Sequence, residues 1–405
     1  MSEYSWKFKS LDELGSISRG KSKHRPRDAS HLFGGSYPFI QTGDVKSAGL
    51  ILDSYSETYS EEGLAQSKLW PKGTLCITIA ANIAETSILG IDACFPDSII
   101  GFIPHENECD VRYVKYVLEL KKMEIQAAFA GSVQLNMSMK ELLKWKFPIP
   151  SYAIQRKIGD YVSDYDYMVR SNRNISYVSQ QLISNLFRSW FIDFDPVKSK
   201  VEGKLPYGMD EETAALFPDS FKDSQLGPIP SGWNVGRIGD IADISSGKHQ
   251  PERSEQKSSE YCTPLLGGAG IIAWTAESLF DEPIIVIGRV GTLGVVKKYT
   301  SPVWPSDNTL IFKTHQNSSF HYLLHHLRLQ DFGAYNRGST QPLLTQSDMR
   351  KLKLIIPNED VLLAFEERIC SMSLLSDILE EQSKYLTKTR DALLPRLMSG
   401  ELSVS

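Results

Sequence analysis

The chain states one plan twice, and the second statement is shorter than the first. Residues Trp6–Lys21 return as Trp233–Lys248 at an offset of 227, with the tryptophan and an Ile-Ser-x-Gly-Lys core preserved. Farther on, Gly131-Ser-Val-Gln134 returns as Gly338-Ser-Thr-Gln341, and Phe147-Pro-Ile-Pro150 as Leu354-Ile-Ile-Pro357, at an offset of 207. Stacked repeat arrays use units of about 20–50 residues. Two long units instead require two similar folded bodies.

Residues 1–150 alternate short apolar runs with turn signals such as Gly34-Gly35 and Pro71-Lys-Gly73. Leu75–Ile79 and Ser98–Ile103 predict strands, and Val111–Ala130 predicts a helix. The second copy repeats the mixture, with a strand at Pro283–Gly288. From residue 151 the pattern changes. Ile154, Ile158, Tyr161, Tyr165, Met168, Asn172, Ile175, Ser179, Leu182 and Leu186 recur in steps of four and three, a heptad seam with polar breaks. A helix reaching Phe191 would be about 60 Å long. Leu362, Phe365, Ile369, Met372, Ser376, Leu379, Ser383, Leu386, Arg390 and Leu393 follow the same steps after the second copy. Each stripe needs a partner, and the obvious one is the other stripe. The predicted architecture is therefore α+β: two globular domains, each followed by a long helix, the helices pairing as an antiparallel coiled coil with pseudo-twofold symmetry. The divisions fall at 1–150, helix 151–194, a proline- and glycine-punctuated linker 195–232, the second domain 233–357, and helix 358–405.

Composition narrows the class. With 41% apolar and 23% charged residues the chain is an ordinary globular protein. No apolar run is long enough to span a bilayer, and no secretory leader is expected at the start. Five scattered cysteines suit a reducing compartment, the cytoplasm, rather than a disulfide framework. The net charge of -5 means that any nucleic-acid affinity must come from local basic clusters or from partner subunits.

The linker carries the most specific strings: Trp190-Phe-Ile-Asp-Phe-Asp-Pro-Val-Lys198, Gly208-Met-Asp-Glu-Glu-Thr-Ala-Ala-Leu-Phe-Pro-Asp-Ser-Phe221 and Leu226-Gly-Pro-Ile-Pro-Ser-Gly-Trp233. Together with Arg390-Asp-Ala-Leu-Leu-Pro-Arg-Leu-Met-Ser-Gly-Glu-Leu-Ser-Val404 they closely resemble type I restriction–modification specificity subunits along the whole chain. The resemblance implies two target-recognition domains, each reading one half of a split double-stranded DNA site, with the helix pair as a ruler. It implies a non-catalytic chain without a cofactor of its own. Two modification subunits would bring S-adenosylmethionine chemistry, and two restriction subunits would bring ATP, Mg and cleavage. No membrane partner is implied.

Gly15–Ser22 fits the letter pattern of a phosphate-binding P-loop, yet the flanks lack the buried strand and following helix that such a loop needs. The second copy also replaces Gly15 and Ser22 with Ala242 and His249. Arg19, Lys21, Lys23, Arg25 and Arg27, with Lys248, His249 and Arg253 in the matching loop, suit a solvated loop or one that contacts phosphates; the resemblance favours the second. Arg289 could take guanine O6 and N7 together, and Thr292 a phosphate or thymine methyl, or both could serve a hairpin turn. The corresponding Thr78–Asn82 lacks the arginine and glycines, so the two domains are expected to read different half-sites, with Thr78 and Asn82 as candidates. Gln134 and Asn136, and Arg337, Ser339 and Gln341, precede the return toward each helix and could read bases or simply make a turn. His321 and His325 have metal-ligand spacing without a third ligand. Asp195 and Glu202-Gly-Lys204 only loosely suggest a nuclease cluster.

Overall fold

A computed structural model describes residues 6–129, 136–290, 294–335 and 343–404. The chain divides into two compact units. Unit 1 contains residues 1–175 and 378–405, and unit 2 contains residues 176–377.

In unit 1 a sheet runs in the order Gly15–Arg19, Ile99–Pro104, Leu75–Thr78, Thr86–Leu89, Ile51–Leu52. Leu75–Thr78 and Thr86–Leu89 are buried at every position, which suits their uninterrupted apolar and small-residue runs. Helix Val111–Phe129 lies on the sheet through Tyr113, Val114, Val117 and Ile125. A two-stranded ribbon pairs Lys7–Lys9 with Phe147–Ile149, clasping the start of the domain to the segment that enters the long helix.

Unit 2 repeats this plan. Its sheet runs Ala242–Ser246, Thr309–Thr314, Ile284–Gly288, Val296–Tyr299, and its ribbon pairs Asn234–Arg237 with Lys353–Ile356. The smaller sheets differ. Unit 1 carries four strands built around Phe33–Phe39, and unit 2 carries three around Thr263–Gly267. The fold is thus α+β in both halves.

Two 40-residue helices, Tyr152–Phe191 and Glu359–Met398, contribute to both units. In unit 1, Arg390 pairs with Asp166, and the Asn172 amide donates to Gln382 Oε1 at 2.9 Å. In unit 2, the Ser176 and Ser376 hydroxyls meet at 2.5 Å, and Phe187 packs on Phe365. In each unit the numbering rises along one helix as it falls along the other, so the pairing is antiparallel.

The seam of the first helix needs a correction. Of the predicted seam, Ile158, Asn172 and Ser179 are buried, but Tyr161, Met168, Ile175 and Leu182 are 41%, 48%, 43% and 54% exposed, and their places are taken one residue later by Val162, Val169, Ser176 and Ile183, with Phe187 beyond. The two lines differ by one residue at these positions. The buried one wins because its polar members meet polar partners and its far end carries the larger Phe187 and Trp190. The second helix buries its predicted Leu362, Phe365, Ile369, Ser376 and Ser383.

Residues 195–232 are folded rather than extended. The long helix stops at Phe191, Phe194 takes a left-handed turn (φ 54°), and Pro196 opens helix Asp195–Val201, where a missing N–H costs nothing. Asp210 caps Glu211–Ala215 by accepting from Thr213 N at 2.7 Å. Val197, Met209, Phe217 and Trp233 then join Trp190 and Phe191 in the core of unit 2.

The Asp166–Arg390 pair is largely buried, with side chains 10% and 19% exposed, and the Tyr116 hydroxyl donates to the same carboxylate at 2.6 Å. Removing one member strands the other charge. Arg390→Ala is therefore expected to destabilise unit 1 by about 3–5 kcal/mol, seen as faster hydrogen exchange in residues 152–175. Asp166→Leu combined with Arg390→Met should restore most of the loss.

Candidate nucleic-acid interface

One end of each main sheet is built to the same hydrogen-bond plan. In unit 1, Gly20 N donates to Ile99 O, Lys21 N to Phe95 O, Ile79 N to Ser98 O and Met137 N to Ile79 O. In unit 2, Gly247 N donates to Thr309 O, Lys248 N to Pro305 O, Arg289 N to Asn308 O and Leu344 N to Arg289 O. The bridge Ala80–Asn136 has its counterpart in Val290–Leu343. Position by position, Arg19 corresponds to Ser246, Ile79 to Arg289 and Met139 to Gln346.

This plan explains the Gly-Lys common to both copies. A Cβ on Gly20 would lie 2.3 Å from Phe95 O, and one on Gly247 would lie 2.2 Å from Ser306 O. The glycine admits a crossing strand, and the lysine is turned out into solvent. Nucleotide binding is excluded by the same geometry, because Gly15–Arg19 is itself a strand and no helix follows Lys21 to aim its amides at a phosphate.

The basic loop of unit 1 separates into two groups. Arg27 pairs with Asp97 at 2.9 Å, and Arg25 curls back to donate to the carbonyls of Ser22 and His24, each at 2.7 Å. Arg19, Lys21 and Lys23 are exposed and have no carboxylate partner among the described residues. Beside them Lys68, which the sequence did not single out, lies 3.5 Å over the Trp70 ring. Partial desolvation first, and Lys21 second, hold its pKa below the ordinary lysine value. Ser67 donates to Lys21 O at 2.8 Å, and Gln66 accepts from Lys23 N and His24 N, so this side loop supports the basic one. Half-exposed Asn82 and exposed Asn136 lie at the same sheet end. Thr78 must be withdrawn as a reader. It is fully buried, its hydroxyl donates to Asn82 O, and Glu85 N donates to it at 3.0 Å, which locks the turn.

In unit 2, Lys248, His249 and Arg253 are exposed, with Arg253 donating to Gln250. Arg289 is half-buried and donates to Ser246 Oγ at 3.2 Å, and Gln346 donates to the same oxygen at 2.9 Å. Gln346 was missed in the sequence. The 207-residue offset, carried five residues past Gln134 and Gln341, would have paired it with Met139. Gln134, Thr292, Arg337, Ser339 and Gln341 lie outside the described residues.

The histidines serve packing and polar anchoring. His321 gives one ring nitrogen to Glu366 at 2.7 Å and the other to Ser373 at 3.0 Å, leaving none for a metal. No group of three metal-binding side chains occurs among the described residues. Serine, histidine and glutamate in that order resemble a hydrolase relay. Here, however, Lys298 donates to the same Ser373 hydroxyl at 2.6 Å, and His321 and Ser373 are each only 7% exposed. No substrate can reach them, and the network ties strand Val296–Tyr299 and helix Phe320–Arg328 to the second long helix. Glu202 pairs with Lys204 at 2.7 Å, so that pair forms no nuclease cluster.

The model of the "Type I restriction modification DNA specificity domain" matches residues 3–177 and 230–364, one match for each copy of the internal repeat. The chain belongs to this family. It is 24% identical to the type I restriction enzyme MjaIX specificity subunit of Methanocaldococcus jannaschii, over 98% of this chain and 94% of that one. It is 25% identical to the HindI specificity subunit of Haemophilus influenzae, over 63% and 68% respectively. The crystal structure of the type I restriction–modification S subunit from M. genitalium shares the fold, with a TM-score of 0.64 at 16% identity, covering 98% of this chain and 96% of that one. No helix among the described residues is long and apolar enough to cross a membrane.

Two expectations follow. Burial drives the pKa of His325 down from 6.5 to about 3, with Arg328, His321 and Lys298 adding to it, and burial alone takes His326 to about 4. Protonation therefore favours the unfolded chain: this stabilisation is complete above the unfolded value near 6.5 and is lost as pH falls toward 4. The melting temperature of unit 2 should drop across that window, and replacing both histidines with leucine should flatten the drop. Lys21→Ala should weaken DNA binding of the assembled enzyme about equally on all sequences and reduce the salt slope by about one unit. The same variant should show no change in ATP-dependent melting, because no nucleotide binds there.

Proposed function

We propose that this chain is the non-catalytic, DNA-reading subunit of a type I restriction–modification enzyme. The observation that carries the proposal is the duplicated sheet end, in which one backbone frame is filled with unlike side chains. Reading two different half-sites requires that combination. Each unit takes one half of a bipartite double-stranded target, and the helix pair sets the unread spacer between them. Arg19, Lys21, Lys23 and Lys248 contact phosphates and fix register, while side chains at the strand ends address base edges in the major groove.

The net charge of -5 limits what this chain holds by itself, so partners supply much of the affinity. Two modification subunits and two restriction subunits complete the assembly in the cytoplasm. S-adenosylmethionine, ATP and Mg belong to those partners, and the target adenine is turned out of the duplex into a modification subunit. Exposed Tyr161, Met168, Ile175 and Leu182 on the first long helix, and Leu374, Ile378 and Tyr385 on the second, offer apolar surface for the modification subunits. Membership of the specificity family and relatives named as specificity subunits support this reading.

Methylome sequencing of cells that express the chain with its cognate modification subunit provides the test. A two-part methyl-adenine motif that vanishes when this chain is deleted is expected. Methylation that survives the deletion would rule out the role. A coiled-coil scaffold without a DNA function would leave the methylome unchanged and would give no sequence preference in binding assays of the assembled complex.

A further inference from the structure

Arg289 stands where unit 1 has Ile79, a core residue only 2% exposed. Its backbone makes the same two hydrogen bonds as Ile79, so the frame has been kept and the side chain exchanged for a cation. Desolvating a guanidinium is costly unless its charge is answered. No carboxylate answers it among the described residues. Nη1 donates to the neutral Ser246 hydroxyl at 3.2 Å, Nε is buried without a partner, and Nη2 makes no hydrogen bond among the described residues. Ser246 is held in turn by Gln346, which donates to the same oxygen at 2.9 Å. Three segments distant in the chain thus fix an unneutralised fork at the sheet end, beside exposed Lys248.

The exchange is reciprocal. At the Ser246 position unit 1 has Arg19, exposed and unpaired among the described residues, and at the Gln346 position it has the partly buried Met139. Each unit therefore places one arginine at this corner, but on different strands. In unit 2 the arginine is propped, and in unit 1 it stands free. A propped fork with a fixed direction suits a ligand offering two adjacent acceptors, and in the major groove only guanine does so, through O6 and N7.

We infer that Arg289 reads a guanine in the half-site of unit 2, with Ser246 and Gln346 as positioning residues, and that unit 1 has no counterpart of this reader. The inference rests on the DNA-reading function proposed above and assigns one base contact within it.

The test is the methylome of cells carrying the complete enzyme with wild-type chain, Arg289→Ile, Arg289→Lys or Gln346→Met. Ile and Met are the residues that unit 1 already accommodates at these points, so folding is preserved by design and can be checked by melting. Arg289→Ile should make one G·C position of one half-site degenerate, with discrimination there falling by roughly tenfold or more, while the other half-site stays intact. Arg289→Lys should lose the same position, because an ammonium keeps the charge without the fork. Gln346→Met should blur that position and no other. A motif still read in full by Arg289→Ile overturns the inference. So does rescue by lysine together with uniform weakening on all sequences, which marks a phosphate contact. A wild-type enzyme that writes no bipartite motif overturns both this inference and the function it rests on.

Discussion

On the face of the first long helix that meets the second, aspartate, asparagine and serine are interspersed with aliphatic side chains. Polar groups taken out of water must find partners, and here the other helix supplies them: Arg390 for Asp166, Gln382 for Asn172 and Ser376 for Ser176. A slip of one turn would face Asp166 with Leu386 or Leu394 and leave a charge buried against hydrocarbon. An all-leucine seam would pair more strongly but in several registers. In this chain electrostatics selects one register, and the sheets attached to the helices by their ribbons inherit it.

The sheet end shows the same division of labour on a smaller scale. Main-chain hydrogen bonds and a glycine pressed against a neighbouring carbonyl define the frame in both units. Side chains at fixed points of that frame are then free to differ, because changing Ile79 to its equivalent Arg289 breaks no main-chain bond. Stability comes from the shared part, and in the proposed function selectivity comes from the part that is not shared. A cation on this frame breaks no main-chain bond, and it stands at the sheet end, which is where DNA would meet it.

Much of this could be read in the sequence because it rests on local chemistry. The repeat predicted two α+β bodies, the apolar runs located the central strands, and the polar flanks of Gly15–Ser22 already argued against a nucleotide loop. Four features were hidden for physical reasons. The first helix has two candidate stripes that share Ile158, Asn172 and Ser179 and differ by one residue at the positions between them, and only the positions of Arg390 and Ser376 on the other helix decide between them. Thr78 looked available because its neighbours form a turn, yet its hydroxyl closes that turn from inside. Residues 195–232 have the prolines and glycines of a linker, but Trp190, Phe217 and Trp233 needed one another to be covered, and that need draws the segment into the core. Gln346 stayed invisible because a lone glutamine has no pattern until Ser246 is placed beside it.

Unit 2 is one uninterrupted stretch of chain, whereas unit 1 is closed by residues from its far end: Leu394, Leu397 and Met398 pack into the same core as Ile158 and Val162. The ribosome therefore delivers every part of unit 2 before it delivers the last pieces of unit 1. The domain that is made first is finished last, and in the interval its long helix shows an uncovered apolar flank. A reading-frame error after residue 377 would leave the second unit whole and open the first, so damage at the end of the message would be felt in the domain encoded at its beginning.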